Sequence, residues 1–186
     1  MFKYQKKEMF PVKVKGKNVK LAKYIHSQLG GPYGELAASI TYLSQRYTMP
    51  DERGRNLLSD IGCEELSHVE MISTLIYELT KGATPEEMEE NGLGCDYVVH
   101  GKGIAPVSCN GVDFCSSGIG VSGDPIVDLQ NDMAAEEKAR SVYEHILDIC
   151  QDEEVRNVIL FLRQREVVHF NRFKDLLEIY KKECGK

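Results

Sequence analysis

The segment Glu65-Leu66-Ser67-His68 recurs 101 residues later in the chain as Glu166-Val167-Val168-His169. Residues three positions apart are neighbours on one face of a helix, so each segment places a carboxylate beside an imidazole. A single Glu-x-x-His segment in a helical protein usually contributes surface charge alone. Two copies at a fixed distance along the chain instead indicate a duplicated functional element.

The same distance along the chain relates other residues on both sides of these segments. Glu35 recurs as Glu136, and Tyr42 recurs as Tyr143. Further pairs are Asp51-Glu52 with Asp152-Glu153, Arg55-Asn56 with Arg156-Asn157, and Leu75 and Ile76 with Leu176 and Leu177. The repeat predicts two copies of one helical hairpin, related in space by an approximate twofold axis.

Equal lengths of chain place the four glutamates at one level. Glu35 lies fifteen residues before Pro50 and Glu65 lies fifteen after it, so an antiparallel hairpin brings both to the same height. The second hairpin has the same spacing about Gln151. Burying four unpaired carboxylates is very unfavourable, and a pair of divalent or trivalent cations removes that penalty. The sequence therefore predicts a dinuclear metal site built from Glu35, Glu65, His68, Glu136, Glu166 and His169.

Several other side chains lie near this predicted site. Tyr42 and Tyr143 are seven residues beyond Glu35 and Glu136 on the same helix faces, and they either pack in the core or donate hydrogen bonds to ligating carboxylates. Two more glutamates, Glu64 and Glu137, are interpreted as outer positions. Arg140, Arg163 and Arg165 either face solvent or supply balancing charge. His26 and His145 are candidates for structural or exposed positions, and His100 for the mouth of the site.

Glycine and proline divide the chain into an arm, two hairpins and a crossover. An N-terminal arm of residues 1–19, extended around Pro11-Val12-Lys13-Val14-Lys15, precedes a first hairpin of residues 20–80 that Gly30-Gly31-Pro32 interrupts. The crossover loop, residues 81–123, holds nine of the sixteen glycines. The second hairpin, residues 124–182, starts with the helix-initiating pair Asp124-Pro125. The sequence predicts one all-α domain over residues 1–186, a four-helix bundle with a long crossover.

Composition narrows the class of protein. The chain has 186 residues and a net charge of −6, which argues against binding to the phosphates of nucleic acids. It has no apolar run near the about 20 residues that span a membrane. The N-terminal residues also lack the continuous apolar stretch of a signal peptide. We therefore expect a protein that is made in the cytoplasm.

The six cysteines form no Cys-x-x-Cys pair, so a zinc ribbon and a thioredoxin-like motif are excluded. Cys63 and Cys150 lie within helical patterns and are predicted to be small core residues. Cys95, Cys109 and Cys115 share the glycine-rich crossover, where pairing is conceivable. Without an export signal, free thiols are the expectation.

Three segments carry a resemblance to a known family. Gly31-Pro32-Tyr33-Gly34-Glu35-Leu36, Glu65-Leu66-Ser67-His68 and Glu136-Glu137-Lys138-Ala139-Arg140, together with Glu166 and His169, resemble the manganese catalase family. The short members of that family, the catalase-like spore coat proteins of endospore-forming bacteria, are the most similar. The resemblance extends over nearly the whole chain. It implies a ferritin-like bundle around two manganese ions.

The resemblance also implies a role for each residue of the site. Glu65 would bridge the two ions, with Glu35 and His68 completing the ligands of one ion and Glu136 and His169 those of the other. Glu166 would lie close to the ions as a catalytic proton acceptor, although its place in the repeat also suits a permanent ligand.

The implied reaction is the disproportionation of hydrogen peroxide to water and dioxygen, carried out by a homo-oligomer that is also a candidate component of the spore coat. Two alternatives remain open. One is a di-iron ferritin-like oxidase or iron-handling protein, because carboxylates with one imidazole per metal suit manganese and iron alike. The other is a structural coat protein that contacts other coat proteins and whose metals mainly stabilise the fold.

Overall fold

The computed structural model describes residues 7–94 and 103–183, and the regular structure in these ranges is helical. The helices are α1 Val19–Gly30, α2 Glu35–Gln45, α3 Glu52–Thr80, α4 Pro85–Glu90, α5 Pro125–Ile149 and α6 Glu153–Glu183. Short 3₁₀ turns occupy Arg46–Thr48 and Ser116–Gly118. Among the described residues, β-pairing is limited to an isolated bridge between Val107 and Asp113.

Two hairpins form the bundle. Helix α3 packs along α1 and α2, helix α6 packs along α5, and the two hairpins lie against each other. The all-α four-helix bundle predicted from the sequence is confirmed. None of the helices in the described ranges is long and apolar enough to cross a membrane.

The second helix of each hairpin begins with the same kind of cap. The Asp51 side chain accepts hydrogen bonds from the backbone amides of Arg53 and Gly54. Asp152, its counterpart in the repeat, accepts from the backbone amides of Glu154 and Val155. Because such caps satisfy backbone donors that the helix leaves free, they set where α3 and α6 begin and therefore the height of the glutamates along them.

The first arm of the first hairpin is broken, as the sequence predicts. Helix α1 ends at Gly30 and α2 begins at Glu35. A Cβ atom on Gly30 would lie 2.3 Å from the carbonyl carbon of Pro106, so glycine is required for the crossover to pack this closely. The break makes Glu35 the first residue of a new helix, where the helix dipole favours a carboxylate.

Two clusters of buried apolar side chains fill the bundle on either side of a polar level. In α3, Leu58 and Met71 belong to different clusters and Glu65 lies between them. The same order occurs in α6, where Leu162 and Phe173 enclose the second Glu-x-x-His segment. Apolar packing therefore surrounds the polar level from both ends of the bundle.

The structure differs from the sequence predictions in two places. The crossover contains a helix, α4, whose Thr84 and Glu87 form a reciprocal capping box that was overlooked. Cys63 is exposed on α3 rather than buried in the core, whereas Cys150 is buried as predicted. In the arm, Val12 and Val14 pack against the larger apolar cluster. Two residues considered above, Cys95 and His100, lie outside the described ranges.

Candidate metal centre

The six side chains predicted to form the site converge at the polar level of the bundle. Each is almost fully buried, with at most 2% of its surface exposed. Ligand atoms of Glu35, Glu65, His68 and Glu166 all lie within 4.8 Å of one another, and so do those of Glu65, Glu136, Glu166 and His169. The two groups are adjacent because Glu65 and Glu166 belong to both.

Glu65 lies between the two histidines. Its Oε2 atom is 2.7 Å from His68 Nδ1, and its Oε1 atom is 2.7 Å from His169 Nδ1. Each Nδ1 atom is also 3.6 Å from a second carboxylate, that of Glu35 for His68 and that of Glu136 for His169. The equal distances show that the repeat in sequence is also a repeat in space.

Both tyrosines of the repeat bind glutamates of the opposite hairpin. The Tyr42 hydroxyl donates to Glu136 Oε1 at 2.6 Å, and the Tyr143 hydroxyl donates to Glu35 Oε1. Both side chains are also fully buried. Each tyrosine therefore packs in the core and also donates a hydrogen bond to a buried glutamate.

A single carboxylate faces the outer nitrogens of both histidines. Glu64 Oε1 lies 3.3 Å from His169 Nε2 and 3.7 Å from His68 Nε2. Arg165 holds this carboxylate through Nε at 2.6 Å and Nη2 at 3.3 Å. Glu64 is therefore an outer position, as predicted, and Arg165 supplies its balancing charge.

The other charged candidates lie at the periphery. Arg140 binds Glu137 and Glu144, and Arg163 also binds Glu144. Glu137 is thus an exposed outer residue, in agreement with its interpretation from the sequence. Two histidines also lie apart from the centre: His26 is buried and His145 is exposed.

Burial dominates the electrostatics of the carboxyl groups. It raises the pKa of Glu35 to about 7, with a further contribution from Glu65. It also raises the pKa of Glu136, and it raises that of Glu166 well above its ordinary value. For Glu65, burial acts in the same direction, but the two imidazoles outweigh it and lower the pKa.

For the two histidines, the neighbouring carboxylates outweigh the effect of burial on the pKa. Burial lowers the pKa of His169, but the carboxylates of Glu136, Glu64 and Glu65 outweigh burial and raise it to about 11. The pKa of His68 is raised in the same way. The metal-free centre therefore retains protons at neutral pH, and cations that bind there would displace them.

The donor set fits two hard cations. Among the described residues, the buried carboxylate oxygens without a hydrogen-bond partner include Glu136 Oε2 and Glu166 Oε1. Unsatisfied acceptors in a dry interior are unfavourable, and metal ions satisfy carboxylate oxygens and imidazole nitrogens together. Each of the two groups offers three carboxylates and one imidazole, a set typical of manganese or iron.

The family model for manganese-containing catalases matches residues 1–186. The chain therefore belongs to the manganese catalase family, as the sequence motifs indicated. It is 50% identical to protein CotJC of Bacillus subtilis, with 100% of this chain and 98% of CotJC covered. A probable manganese catalase of Clostridium acetobutylicum is 35% identical, with 98% of this chain and 82% of that protein covered.

A solved structure supports the same assignment. The crystal structure of KatB, a manganese catalase from Anabaena, superposes with a TM-score of 0.88 at 29% identity. The match covers 98% of this chain and 82% of the KatB chain. The predicted ferritin-like bundle is thereby confirmed.

The sequence analysis missed two buried polar residues beside the centre, Asp132 and Gln45. Asp132 lies one helical turn before Glu136 on α5, a spacing that places both on one face. That spacing could have identified Asp132. Gln45, at the end of α2, has no comparable signal in the sequence.

Proposed function

We propose that the protein is a manganese catalase that converts two molecules of hydrogen peroxide into two of water and one of dioxygen. Membership of the family over the whole chain supports the reaction and the metal. One observation carries the assignment of the site: the buried Glu65 carboxylate presents one oxygen to each histidine Nδ1 at 2.7 Å. A carboxylate so placed suits a bridge between two cations.

The proposed ligands follow the two groups of donors. Glu65 would bind both ions, Glu35 and His68 would complete one set, and Glu136 and His169 the other. When bound, the manganese pair supplies the two-electron redox chemistry of the reaction. Tyr42 and Tyr143 would hold the terminal glutamates in place through their hydroxyl groups, as hydrogen-bond donors to metal-binding carboxylates do in other proteins.

Glu166 is the proposed catalytic residue. Oxidation of one peroxide to dioxygen releases two protons and two electrons, and reduction of another to two water molecules consumes them. Glu166 is buried, its pKa is raised chiefly by burial, and within residues 7–94 and 103–183 its Oε1 atom accepts no hydrogen bond. We assign to this carboxylate one proton of each pair, accepted in the first half-reaction and returned in the second.

Metal analysis combined with oxygen measurement tests this function. Protein from cultures supplemented with manganese or with iron would be assayed for bound metal and for oxygen release on addition of peroxide. Two manganese ions per chain and rapid oxygen release are expected, and Glu65→Ala should lose both. Glu137→Ala, a change at an exposed glutamate, is the matched control. Protein that binds iron in preference to manganese and releases no oxygen from peroxide would favour the di-iron alternative.

A fully manganese-loaded protein that releases no oxygen would contradict the catalase and favour the structural alternative. The family membership gives the substrate class, whereas the assembly of the protein belongs to the proposal. We expect one ferritin-like domain over residues 1–186, a homo-oligomer, and incorporation into the spore coat with other coat proteins after synthesis in the cytoplasm. The similarity to CotJC supports the coat location. Light scattering and fractionation of spores would test both expectations.

A further inference from the structure

A cavity of about 250 Å³ opens beside the centre and reaches Glu166. It lies between α2, α5 and the end of the crossover. Exposed Tyr33 and Lys138 line its outer part, where the Lys138 ammonium lies 4.9 Å from the centre of the Tyr33 ring. Five alanines form much of its wall: Ala37, Ala38, Ala134, Ala135 and Ala139. The cavity therefore connects solvent with the proposed catalytic residue.

The wall of this cavity contains a buried carboxyl group, Asp132, whose side chain contacts that of Gln45. Asp132 is 1% exposed, and neither of its carboxylate oxygens accepts a hydrogen bond of good geometry from the described residues. Gln45 lines the same cavity and is fully buried. Its Nε2 atom donates to the Gly120 carbonyl at 2.9 Å, while its Oε1 atom accepts no hydrogen bond from the residues that the structure describes.

The atoms on this wall that accept no hydrogen bond of good geometry from the described residues are oxygens, so a ligand that donates hydrogen bonds suits them. An anion is excluded because Asp132 lies near the carboxylates of Glu136 and Asp128. Hydrogen peroxide is small and neutral, carries two O–H groups, and donates more strongly than water because its protons are more acidic.

We infer that Asp132 and Gln45 form a docking site for hydrogen peroxide on the path to Glu166. The inference rests on the proposed function and adds a substrate site distinct from the six metal-binding residues. Asp132 acts before the chemistry: it raises the occupancy of peroxide in the cavity and takes no part in electron transfer. Its loss should therefore raise KM and leave kcat unchanged.

Oxygen release by the manganese-loaded protein, measured over a range of peroxide concentrations, tests this site. Asp132→Leu should raise KM about fivefold, the effect of one lost hydrogen bond, with kcat unchanged. Asp132→Asn retains an acceptor oxygen and should keep the wild-type KM. Asp148→Leu makes the same change at an exposed position of α5 and is the matched control. All variants should bind as much manganese as the wild type.

If Asp132→Leu does not fold, Asp132→Ala provides the same comparison with a smaller side chain. An unchanged KM in the folded Leu or Ala variant would overturn the docking site while leaving the catalase intact. A loss of manganese together with kcat would also overturn it, because Asp132 would then belong to the metal centre. No oxygen from the manganese-loaded wild type would contradict the proposed function itself, and the docking site with it.

Discussion

Glu64 and Arg165 form an ion pair, and they occupy equivalent positions of the internal repeat, 101 residues apart. At this position the two hairpins carry opposite charges. A second glutamate at position 165 would place two like charges together, whereas the arginine neutralises and holds the carboxylate that faces both histidines. The two halves of the repeat therefore differ at this position, and the one carboxylate there faces a histidine of each half.

This relationship predicts the effect of exchanging the two charges. Glu64→Ala should lower manganese affinity about tenfold or more, because the histidines lose the group that orients their rings. The double variant Glu64→Arg with Arg165→Glu should recover most of the lost manganese affinity. Positions 64 and 165 are equivalent in the repeat, so the carboxylate at position 165 should face both histidines as Glu64 does. Competition with a metal chelator measures the affinity, and Glu137→Ala is the control. A double variant as weak as Glu64→Ala would contradict the argument.

The tyrosines should act on one ion each. Tyr42→Phe removes the hydrogen bond to Glu136, and Tyr143→Phe removes the hydrogen bond to Glu35. We expect each change to lower the affinity for one of the two manganese ions about tenfold and to leave the affinity for the other unchanged. Titration of metal-free protein with manganese would separate the two binding steps. Tyr24→Phe, at a partly exposed tyrosine, should leave both steps unchanged, and an equal loss at both steps would disprove the assignment.

The stability of the metal-free protein should fall as pH rises. The pKa of Glu35 is raised from 4.5 to about 7, chiefly by burial, so its contribution to the free energy of unfolding is present below about pH 4.5 and lost by about pH 7. The pKa of His169 is raised from 6.5 to about 11, so its contribution is full below about pH 6.5 and declines above it. Both contributions to the free energy of unfolding therefore decrease as pH rises.

Thermal unfolding of metal-free protein should therefore occur at a lower temperature at about pH 8 than at about pH 5.5. Bound manganese favours the deprotonated groups, so the loaded protein should lose little stability over the same range. Calorimetry of both forms measures this difference. A metal-free protein that becomes more stable on going to about pH 8 would show that the carboxyl groups are not held together as described.

The fit of the crossover against the first hairpin can be tested at one glycine. Gly30→Ala should destabilise the protein by about 1–3 kcal/mol, because the new Cβ atom would collide with the backbone of Pro106. Unfolding in urea gives the free energy. Gly16→Ala is the matched control, since a Cβ atom there has no neighbour within 4 Å. Equal stability of the two variants would mean that the crossover does not pack on Gly30.

The six donors could be predicted because their pattern lies along the chain. The Glu-x-x-His spacing defines a helix face, and the repeat defines the level at which the faces meet. The Tyr42 and Tyr143 hydrogen bonds could not be assigned in the same way. Each tyrosine reaches a glutamate of the other hairpin, so its partner depends on how the two hairpins pack.

Features that have no counterpart in the other half of the repeat could not be found by comparing the two halves. Asp132 corresponds to Gly31 in the first hairpin, so a search for matched positions passes over it. Helix α4 was missed for a different reason: its only signals, Pro85 and the Thr84–Glu87 capping box, lie in a glycine-rich stretch without helical periodicity. Exposure of Cys63 depends on which face of α3 meets solvent, and that follows from how the helix packs in the bundle.

The central claim is that Glu65 bridges two manganese ions inside the repeated hairpins. Anomalous diffraction at the manganese absorption edge, from crystals of protein purified with manganese, tests it most directly. The account predicts two peaks per chain on either side of the Glu65 carboxylate, one beside Glu35 and His68 and one beside Glu136 and His169. A single peak, or peaks away from Glu65, would contradict it.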